Sequence, residues 1–332
     1  MTKQKLTADT AAKAVKATGS QRKAAAALNV SPSGLRYALA TKAEEFVPAK
    51  LVSSGLPIDQ LIERRCETFQ RRQEAEESNK LLRVPVKVEG PIGIVHFGDP
   101  HLDDDGCNFP LLKKHVEIVE RTPGLLGGCI GDLTNNWCGP LARLHAKQET
   151  KGADAVVLAK WFIQSVRWLY LIGGNHDLWT GDVSPIKFLT KEAGVTYKDH
   201  GARIALKFPN GRECRINTRH TFSGNSMWNA NHGAVRAARL GHRDHIYASG
   251  HTHTYSYQKI PSPDCELMHH LLQIGAYKVY DDYADQNGFQ NHNAAPAMVT
   301  IINPAKSELN WITVYDDVEE AADYLTWLRK SA

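Results

Sequence analysis

The chain has 332 residues, of which 42% are hydrophobic and 23% are charged, a composition typical of a globular protein with one large and one small domain, or with two domains. No apolar run approaches the ~20 residues that a membrane-spanning helix needs, and no apolar segment follows the first residues, so we expect no signal peptide. The six cysteines form no C-x-x-C pair, which argues against a zinc ribbon or a disulfide framework and favours a reducing cytoplasm.

The net charge of +4 is unevenly distributed along the chain. Residues 1–45 contain eight lysines and arginines against three acidic residues, which makes +5 and leaves −1 for the rest of the chain. A small basic segment attached to a nearly neutral body indicates a module that binds a polyanion.

Residues 8–40 predict three short helices, over residues 8–17, 21–28 and 32–40. Ser20 is a suitable N-cap for the second helix, and Pro32 occupies the first position of the third. Residues 21–39 resemble a helix-turn-helix, with the small Ala25 where the two helices cross. If the module binds DNA, we expect the contacts to come from exposed residues: Arg22, Lys23, Ser31, Ser33, Arg36 and Tyr37. A purely structural or protein-binding three-helix module is the alternative.

Residues 46–90 are predicted to connect this module, residues 1–45, to the main domain, residues 91–332. Pro48, Gly55 and Pro57 indicate a linker. Residues 58–82 predict a helix whose first half carries an apolar stripe and whose second half has mixed charge. The charged part is typical of a solvated helix face, with an oligomerisation or spacer helix as the alternative.

From residue 91 onward, strand-like and helix-like segments alternate, which predicts an α/β fold. Strands are predicted over residues 92–97, 125–130, 168–172, 215–218, 245–248, 271–280, 297–302 and 309–315. Helices are predicted over residues 110–120, 153–167 and 318–329.

The run from Trp168 to Asp177 is the most informative stretch. Its first five residues are apolar, as in a strand buried on both faces. Two glycines then allow a tight turn, and Asn175, His176 and Asp177 follow where α/β folds bind ligands. By itself the stretch is equally consistent with a solvated polar loop.

The same pattern recurs after the other predicted strands. The polar residues at these strand ends are Asp99, His101, Asp132, Asn175, His176, His220, His251 and His253. Because strand ends converge in a βα sheet, we expect these side chains to meet. Carboxylates, an amide and imidazoles without a thiolate suit Mn²⁺, Fe or Zn²⁺.

In this order the motifs Asp-x-His, Gly-Asp, Gly-Asn-His-Asp, a lone His and Gly-His-x-His resemble those of the calcineurin-like metallophosphoesterases. The resemblance covers residues 91–255, and the strand-rich remainder fits the second half of that fold. It implies a two-sheet β-sandwich flanked by helices, a four-layer α/β arrangement, to which the small all-α N-terminal module is added.

The resemblance also implies a role for each residue. Asp99, His101 and His253 would hold one metal, Asn175, His220 and His251 would hold the second, and Asp132 would bridge them. His176 would be the catalytic acid, oriented by Asp177. The implied cofactors are two divalent ions, with Mn²⁺ favoured over Fe or Zn²⁺. No glycine precedes His220, so His232 remains a rival for the lone histidine, and Asn135 has no assigned role.

The implied reaction is hydrolysis of a phosphate ester by water activated between two metals. Together with the basic module, it favours a phosphodiesterase or nuclease acting on or near DNA. The alternatives are a phosphomonoesterase for a small molecule, nucleotide or phosphoprotein, and a non-catalytic DNA-binding protein with a vestigial metal site. This combination of modules resembles proteins of bacteriophages.

Overall fold

A computed structural model describes residues 6–41, 55–181, 184–286, 288 and 295–331. It divides the chain into two units, residues 1–69 and 70–332. Residues 42–54, which include Pro48 of the predicted linker, lie outside the described residues. Within the described ranges, we find no helix that is both long enough and apolar enough to span a membrane.

The first unit contains the three predicted helices, which the structure confirms. They are α1 (Ala8–Thr18), α2 (Gln21–Ala27) and α3 (Pro32–Ala40). Their shared core is built from small residues and one large one: Ala11, Ala24, Ala25, Leu35 and Ala38 are buried. Ser31 caps α3 by accepting a hydrogen bond from the Gly34 amide, whereas Ser20 precedes α2 without a side-chain cap.

The turn between α2 and α3 is tight because Asn29 adopts a left-handed backbone conformation with φ of 50°, which asparagine tolerates better than most residues. All six residues predicted to contact DNA are exposed in this unit. Tyr37, the aromatic residue of the six, has 74% of its surface accessible. The three short helices are therefore present, and both the helix-turn-helix and its DNA binding stay predictions.

A long helix, α4 (Ile58–Asn79), matches the predicted helix of residues 58–82 except for its last turn. None of its residues is buried. The predicted apolar stripe is exposed as well, with Ile58 and Phe69 each 67% accessible.

Twelve strands within the described residues build the body of the second unit. They are β1 (Leu82–Pro85), β2 (Ile92–Phe97), β3 (Leu125–Cys129), β4 (Trp168–Ile172), β5 (Tyr197–Lys198), β6 (Gly201–Lys207), β7 (Glu213–Arg219), β8 (Ile246–Ser249), β9 (Ser256–Pro261), β10 (Met268–Gln273), β11 (Ala297–Ile302) and β12 (Ile312–Tyr315). They form two six-stranded sheets, the first with the order β12-β11-β2-β3-β4-β5 and the second with the order β1-β6-β7-β8-β10-β9.

Both sheets are mixed. In the first sheet β2, β3, β4 and β5 run parallel, and β11 and β12 add to its edge in antiparallel fashion. In the second sheet β7, β8 and β10 are parallel. The shared direction of the parallel strands brings several carboxyl ends to one edge, where α/β sheets bind ligands.

Further helical segments are described in the second unit. After α4 they are α5 (Phe109–Arg121), a 3₁₀ turn (Gly139–Leu141), α6 (Ala142–His145), α7 (Gly152–Ser165), α8 (Asn175–Leu178), α9 (Pro185–Glu192), α10 (His232–Leu240), α11 (Asp282–Gln286) and α12 (Val318–Lys330). One apolar core joins the first sheet to α5, α7, α9 and α12. A second core lies between the sheets, and a third joins α10 to the second sheet. This confirms the predicted fold class, a two-sheet sandwich flanked by helices.

Several strand predictions need correction. The strand predicted over residues 271–280 ends at Gln273, because the chain then leaves the ladder and runs along the loops after β2, bridging Asp99 to Ala276 and Cys107 to Lys278. Strand β1 pairs with β6 although it precedes residue 91. The half-exposed strand β9 was not predicted, because its polar residues conceal its pattern.

Candidate metal centre

The predicted ligands lie at the carboxyl ends of five strands, drawn from both sheets. Asp99 and His101 follow β2, Asp132 follows β3 and Asn175 follows β4, all in the first sheet. The remaining three, His220, His251 and His253, follow β7 and β8 in the second sheet. The strand ends converge as expected, but between two sheets rather than along the edge of one.

The first cluster consists of Asp99, His101 and His253, whose ligand atoms lie within 4.8 Å of one another. Nε2 of His101 and Nε2 of His253 are 3.2 Å apart, and the latter is 3.4 Å from Oδ2 of Asp99. Asp99 is fully buried, and its Oδ1 has no hydrogen-bond partner among the described residues. A buried carboxylate with one unpartnered oxygen and an imidazole close to its other oxygen is stabilised by a cation.

The second cluster consists of Asp132, His220 and His251, again within 4.8 Å. Nε2 of His220 lies 3.0 Å from Oδ1 of Asn175, 3.0 Å from Nδ1 of His251 and 3.3 Å from Oδ2 of Asp132. Its other nitrogen, Nδ1, is 2.8 Å from the carbonyl oxygen of Ile130. Since a carbonyl only accepts, Nδ1 carries a proton there, and Nε2 is the His220 nitrogen that faces the other ligand atoms and would bind a metal.

Burial and the close packing of carboxylates and imidazoles shift the pKa values of these residues. Burial by itself lowers the pKa of His220, but the carboxylates of Asp99 and Asp132 outweigh it and raise that pKa to about 10. Burial would raise the pKa of Asp132, yet the hydrogen bond and charge of His220 hold it below its ordinary value. Burial, with the nearby His176 and Lys278, keeps the pKa of His101 well below its ordinary value. Positive charge nearby therefore stabilises the buried carboxylates of Asp99 and Asp132.

The backbone around the ligands is strained. Among the described residues, seven other than glycine have a left-handed φ, and four of these are predicted ligands: His101, Asp132, His251 and His253. Such conformations are costly and concentrate at functional sites. Glycine is needed where loops meet: a Cβ on Gly174 would lie 1.9 Å from Oδ1 of Asp132, and one on Gly250 would lie 2.7 Å from Oδ1 of Asp99.

These residues fit two divalent metal ions. The unpartnered oxygen of Asp99, the convergence of imidazole nitrogens with oxygen atoms and the absence of thiolates in both clusters are all consistent with Mn²⁺, Fe or Zn²⁺. A direct backbone link, from the His101 amide to the Asp132 carbonyl at 3.0 Å, holds the loops of the two clusters together.

The structure distinguishes His220 from His232 as candidates for the lone histidine ligand. His220 is 6% exposed and belongs to the second cluster. His232 is exposed at the start of α10 and belongs to neither cluster. The geometry thus favours His220 as the ligand.

Separate replacement of the two histidines tests this choice. We expect His220→Ala to lose one bound metal and to cut turnover by roughly 10³-fold, because several kcal/mol of charge stabilisation disappear. The matched variant His232→Ala should keep both metal and activity. Metal content and initial rates decide the matter, and the reverse pattern would assign the role to His232.

His176 lies at the edge of the two clusters. Its ring meets that of His101 at a centroid distance of 5.1 Å, and its Nε2 is 3.7 Å from Oδ2 of Asp132. Its Nδ1 is 3.0 Å from the carbonyl oxygen of Asn135, so Nδ1–H donates to that carbonyl and Nε2 faces the clusters. Trp179 packs against the ring at 4.3 Å.

The prediction that Asp177 orients His176 is wrong. The Asp177 carboxylate accepts hydrogen bonds from the amides of Leu133 and Gly174, at 3.1 and 2.9 Å. The Asn135 carbonyl orients the imidazole instead. Burial, and then the charge of Asp132, raise the pKa of Asp177 to about 8. Asp177 thus positions the loops that carry Asp132 and Asn175.

Sequence reasoning missed several residues around the site. Asn136 donates from Nδ2 to the His176 carbonyl oxygen at 2.8 Å. Asn135, which had no assigned role, is fully buried and binds the loop after β2 through Asp103 and Asp104. Lys278 lies buried between Asp104 and Asp281, 2.9 Å from each. The run of three aspartates that begins two residues after His101 was the signal that could have indicated this network.

No family model and no curated protein matches the chain. Among solved structures, it is similar to the calcineurin-like phosphoesterase YfkN from Bacillus subtilis, with 11% identity over 73% of this chain and 100% of that one and a TM-score of 0.37. It is also similar to a candidate diadenosine tetraphosphatase, with 13% identity, 71% and 97% coverage and a TM-score of 0.31.

Proposed function

We propose that the protein is a metal-dependent phosphoric ester hydrolase. The observation that carries this is the pair of ligand clusters, one with Asp99 and one with Asp132, that meet at the ends of five strands. Their acidic members are buried, whereas His251 is exposed and His253 is half-buried. The clusters thus have a deep, charged floor and an accessible rim, as a site for an anionic ester requires.

Divalent ions held by the two clusters would supply a nucleophile from water at neutral pH and offset the charge of the phosphate oxygens. The chain itself supplies the proton. His176 holds its Nδ1–H against the Asn135 carbonyl and presents Nε2 toward the clusters. A protonated Nε2 can then protonate the departing ester oxygen, which is general acid catalysis.

Among phosphate esters, we propose a diester in DNA as the substrate, with Mn²⁺ as the metal. The proposal of a DNA substrate is supported by the N-terminal module, whose exposed Arg22, Lys23 and Arg36 lie on α2 and α3. The net positive charge of the chain lies in that segment, since residues 1–45 sum to +5 and the rest of the chain to −1. A module that holds DNA next to an esterase raises the local concentration of its substrate.

A metal-supplemented assay tests the proposed reaction. Bis-p-nitrophenyl phosphate, p-nitrophenyl phosphate, single-stranded DNA and duplex DNA are compared with Mn²⁺ and with a chelator. We expect metal-dependent hydrolysis of the diesters, with the monoester turned over more slowly. Preference for the monoester would support a phosphatase, and no hydrolysis with any metal would support a non-catalytic DNA-binding protein.

The DNA-binding role of the module is tested by charge removal in the full chain. Replacing Arg22, Lys23 and Arg36 by alanine should weaken duplex binding and lower its salt dependence by about one unit of slope for each phosphate that is no longer neutralised. A truncation at residue 85 is unsuitable, because it would delete β1, which pairs with β6.

A matched control removes the same number of positive charges from exposed positions on α5 and α7, as Lys113→Ala, Arg121→Ala and Lys160→Ala. It should bind DNA as the unmodified chain does. Binding isotherms at several salt concentrations give both the affinity and its salt dependence. Equal losses in the two triple variants would refute a specific surface on α2 and α3.

A further inference from the structure

Lys278 is a buried cation beside the metal centre. It lies on the segment after β10 that runs along the loop after β2, where it bridges to Cys107, and only 8% of its surface is exposed. Its Nζ is 2.9 Å from Oδ2 of Asp104 and 2.9 Å from Oδ1 of Asp281. Burial lowers the pKa of Lys278, but these two carboxylates outweigh it and raise that pKa above its ordinary value. Lysine is rarely buried unless it is paired, so Lys278 is a charged group that holds two carboxylates in place.

Asp104 connects this lysine to the loop after β3. Its Oδ2 accepts hydrogen bonds from Nζ of Lys278 and from Nδ2 of Asn135, the latter at 2.7 Å. Its Oδ1 accepts one from the Gly106 amide at 2.9 Å. Both oxygens are thus occupied, and Asp104 belongs to neither ligand cluster. The Asp104 carboxylate therefore fixes the side chain of Asn135 rather than holding a metal.

Asn135 links this network to His176. Its amide donates to Oδ1 of Asp103 at 2.6 Å, its Nδ2 donates to Asp104, and the whole residue is buried. Its carbonyl oxygen accepts Nδ1–H of His176 at 3.0 Å. Because the amide and the side chain are both held, the direction of the carbonyl is restricted. The tilt of the imidazole, whose Nε2 faces the clusters, is restricted with it.

We propose that Lys278 is a positioning residue for proton transfer from His176, acting through Asp104 and Asn135. The inference rests on the proposed function, since it presumes that Nε2 of His176 protonates the departing oxygen. Without the ammonium, the buried carboxylate of Asp104 loses its counter-ion, and breaking a buried ion pair in this way is strongly unfavourable. The loop then rearranges, and a shift of ~1 Å in a catalytic group can cost about 10²-fold in rate.

Two phosphodiesters that differ in the leaving group test the proposal in the full chain. One is the p-nitrophenyl ester of thymidine 5′-monophosphate, whose aryl oxygen departs without a proton. The other is the dinucleotide thymidylyl-3′,5′-thymidine, whose departing sugar oxygen needs a proton. We expect Lys278→Met to lower kcat for the dinucleotide by about 10²-fold and to leave kcat for the aryl ester almost unchanged. Because Lys278 also lies near His101, bound metal is measured for every variant and should stay at the content of the unmodified chain.

A double variant separates positioning from a general structural role. When His176 is already alanine, no proton transfer remains to be positioned. Adding Lys278→Met to His176→Ala should therefore lower kcat for the dinucleotide by less than about twofold. A lysine that supports only the fold would lower kcat by the same factor in both backgrounds.

Two further variants serve as a rescue and as a control. Lys278→Arg retains the charge and the donors, so it should keep most of the dinucleotide rate. Lys187→Met removes a lysine that pairs with Asp199 at 3.0 Å outside this network. It should leave the ratio of the two rates unchanged.

Asn135→Ala tests the intermediate link without a change of charge. It removes the donor to Asp104 but keeps the backbone carbonyl and the Lys278 ion pair, so we expect the same selective loss on the dinucleotide. This variant decides the proposal if Lys278→Met does not fold. Equal losses on both esters, an additive loss in the double variant, or loss of metal from Lys278→Met overturns the proposal. The unmodified chain would still hydrolyse both esters with metal in each of these outcomes, whereas failure of the proposed function would abolish that hydrolysis, so the two failures are distinguishable.

Discussion

Replacement of Asp132 by asparagine is expected to abolish metal-dependent hydrolysis and to release most of the bound metal. Asp132 is 1% exposed, its Oδ1 accepts the His176 amide at 3.0 Å, and its Oδ2 lies 3.3 Å from Nε2 of His220. The Asp132 carboxylate thus faces the second cluster. The Asp132 backbone carbonyl accepts a hydrogen bond from the amide of His101, which belongs to the first cluster. Loss of its charge should reduce turnover by roughly 10³-fold or more, because several kcal/mol of charge stabilisation are removed.

The experiment compares metal content and initial rates of Asp132→Asn with those of Asp199→Asn. Asp199 follows β5, next to β4 in the same sheet, but its carboxylate pairs with Lys187 at 3.0 Å and belongs to neither cluster. The control should keep both metals and full activity. Two tightly held ions per chain in purified Asp132→Asn would contradict the bridging role.

The fold could be predicted in outline because its central strands are buried on both faces. Strand β2 matches its predicted range of residues 92–97, and all six of its residues are buried. Such continuous apolar runs are easily recognised. Strand β6 was missed because Gly201, Arg203 and Lys207 interrupt its apolar pattern, and its partner β1 is a short segment that ends in proline. Its pairing depends on contacts distant in sequence, which a local pattern does not contain.

The clusters were predictable because each ligand follows a predicted strand within a few residues. The distribution of these strands between two sheets was not evident from their order, since each strand end looks alike in sequence. The orientation of His176 was likewise concealed. Its neighbour Asp177 is the obvious carboxylate partner, but the short helix α8 turns the two side chains apart, and Asp177 accepts the Leu133 and Gly174 amides.

Side chains beyond the strand ends could not be assigned from the sequence. Trp137 and His145 are eight residues apart, and they meet only because the chain between them folds into two short helical turns. Asp103 and Ser184 are still more distant, yet both line one cavity beside the loop after β3. The sequence does not show whether a buried polar atom has a hydrogen-bond partner, because its neighbours in space are distant along the chain.

Replacement of His176 by alanine is expected to lower turnover by ~10²–10⁴, the usual contribution of general acid catalysis, while most of the metal stays bound. His176 Nε2 is 3.7 Å from Oδ2 of Asp132 and outside both ligand clusters. The carboxylates, the other imidazoles and Asn175 remain when its ring is removed. The loss should therefore fall on proton transfer rather than on metal affinity.

A series of diesters with different leaving groups distinguishes this role from a structural one. p-Nitrophenolate departs without a proton, so His176→Ala should hydrolyse bis-p-nitrophenyl phosphate almost as well as the unmodified chain does. Esters of alkyl alcohols need protonation of the departing oxygen and should show the full loss. The control His200→Ala removes an exposed imidazole outside both clusters and should leave every rate unchanged. A uniform loss across the series, accompanied by loss of metal, would instead make His176 a ligand or a support for the Asp132 loop.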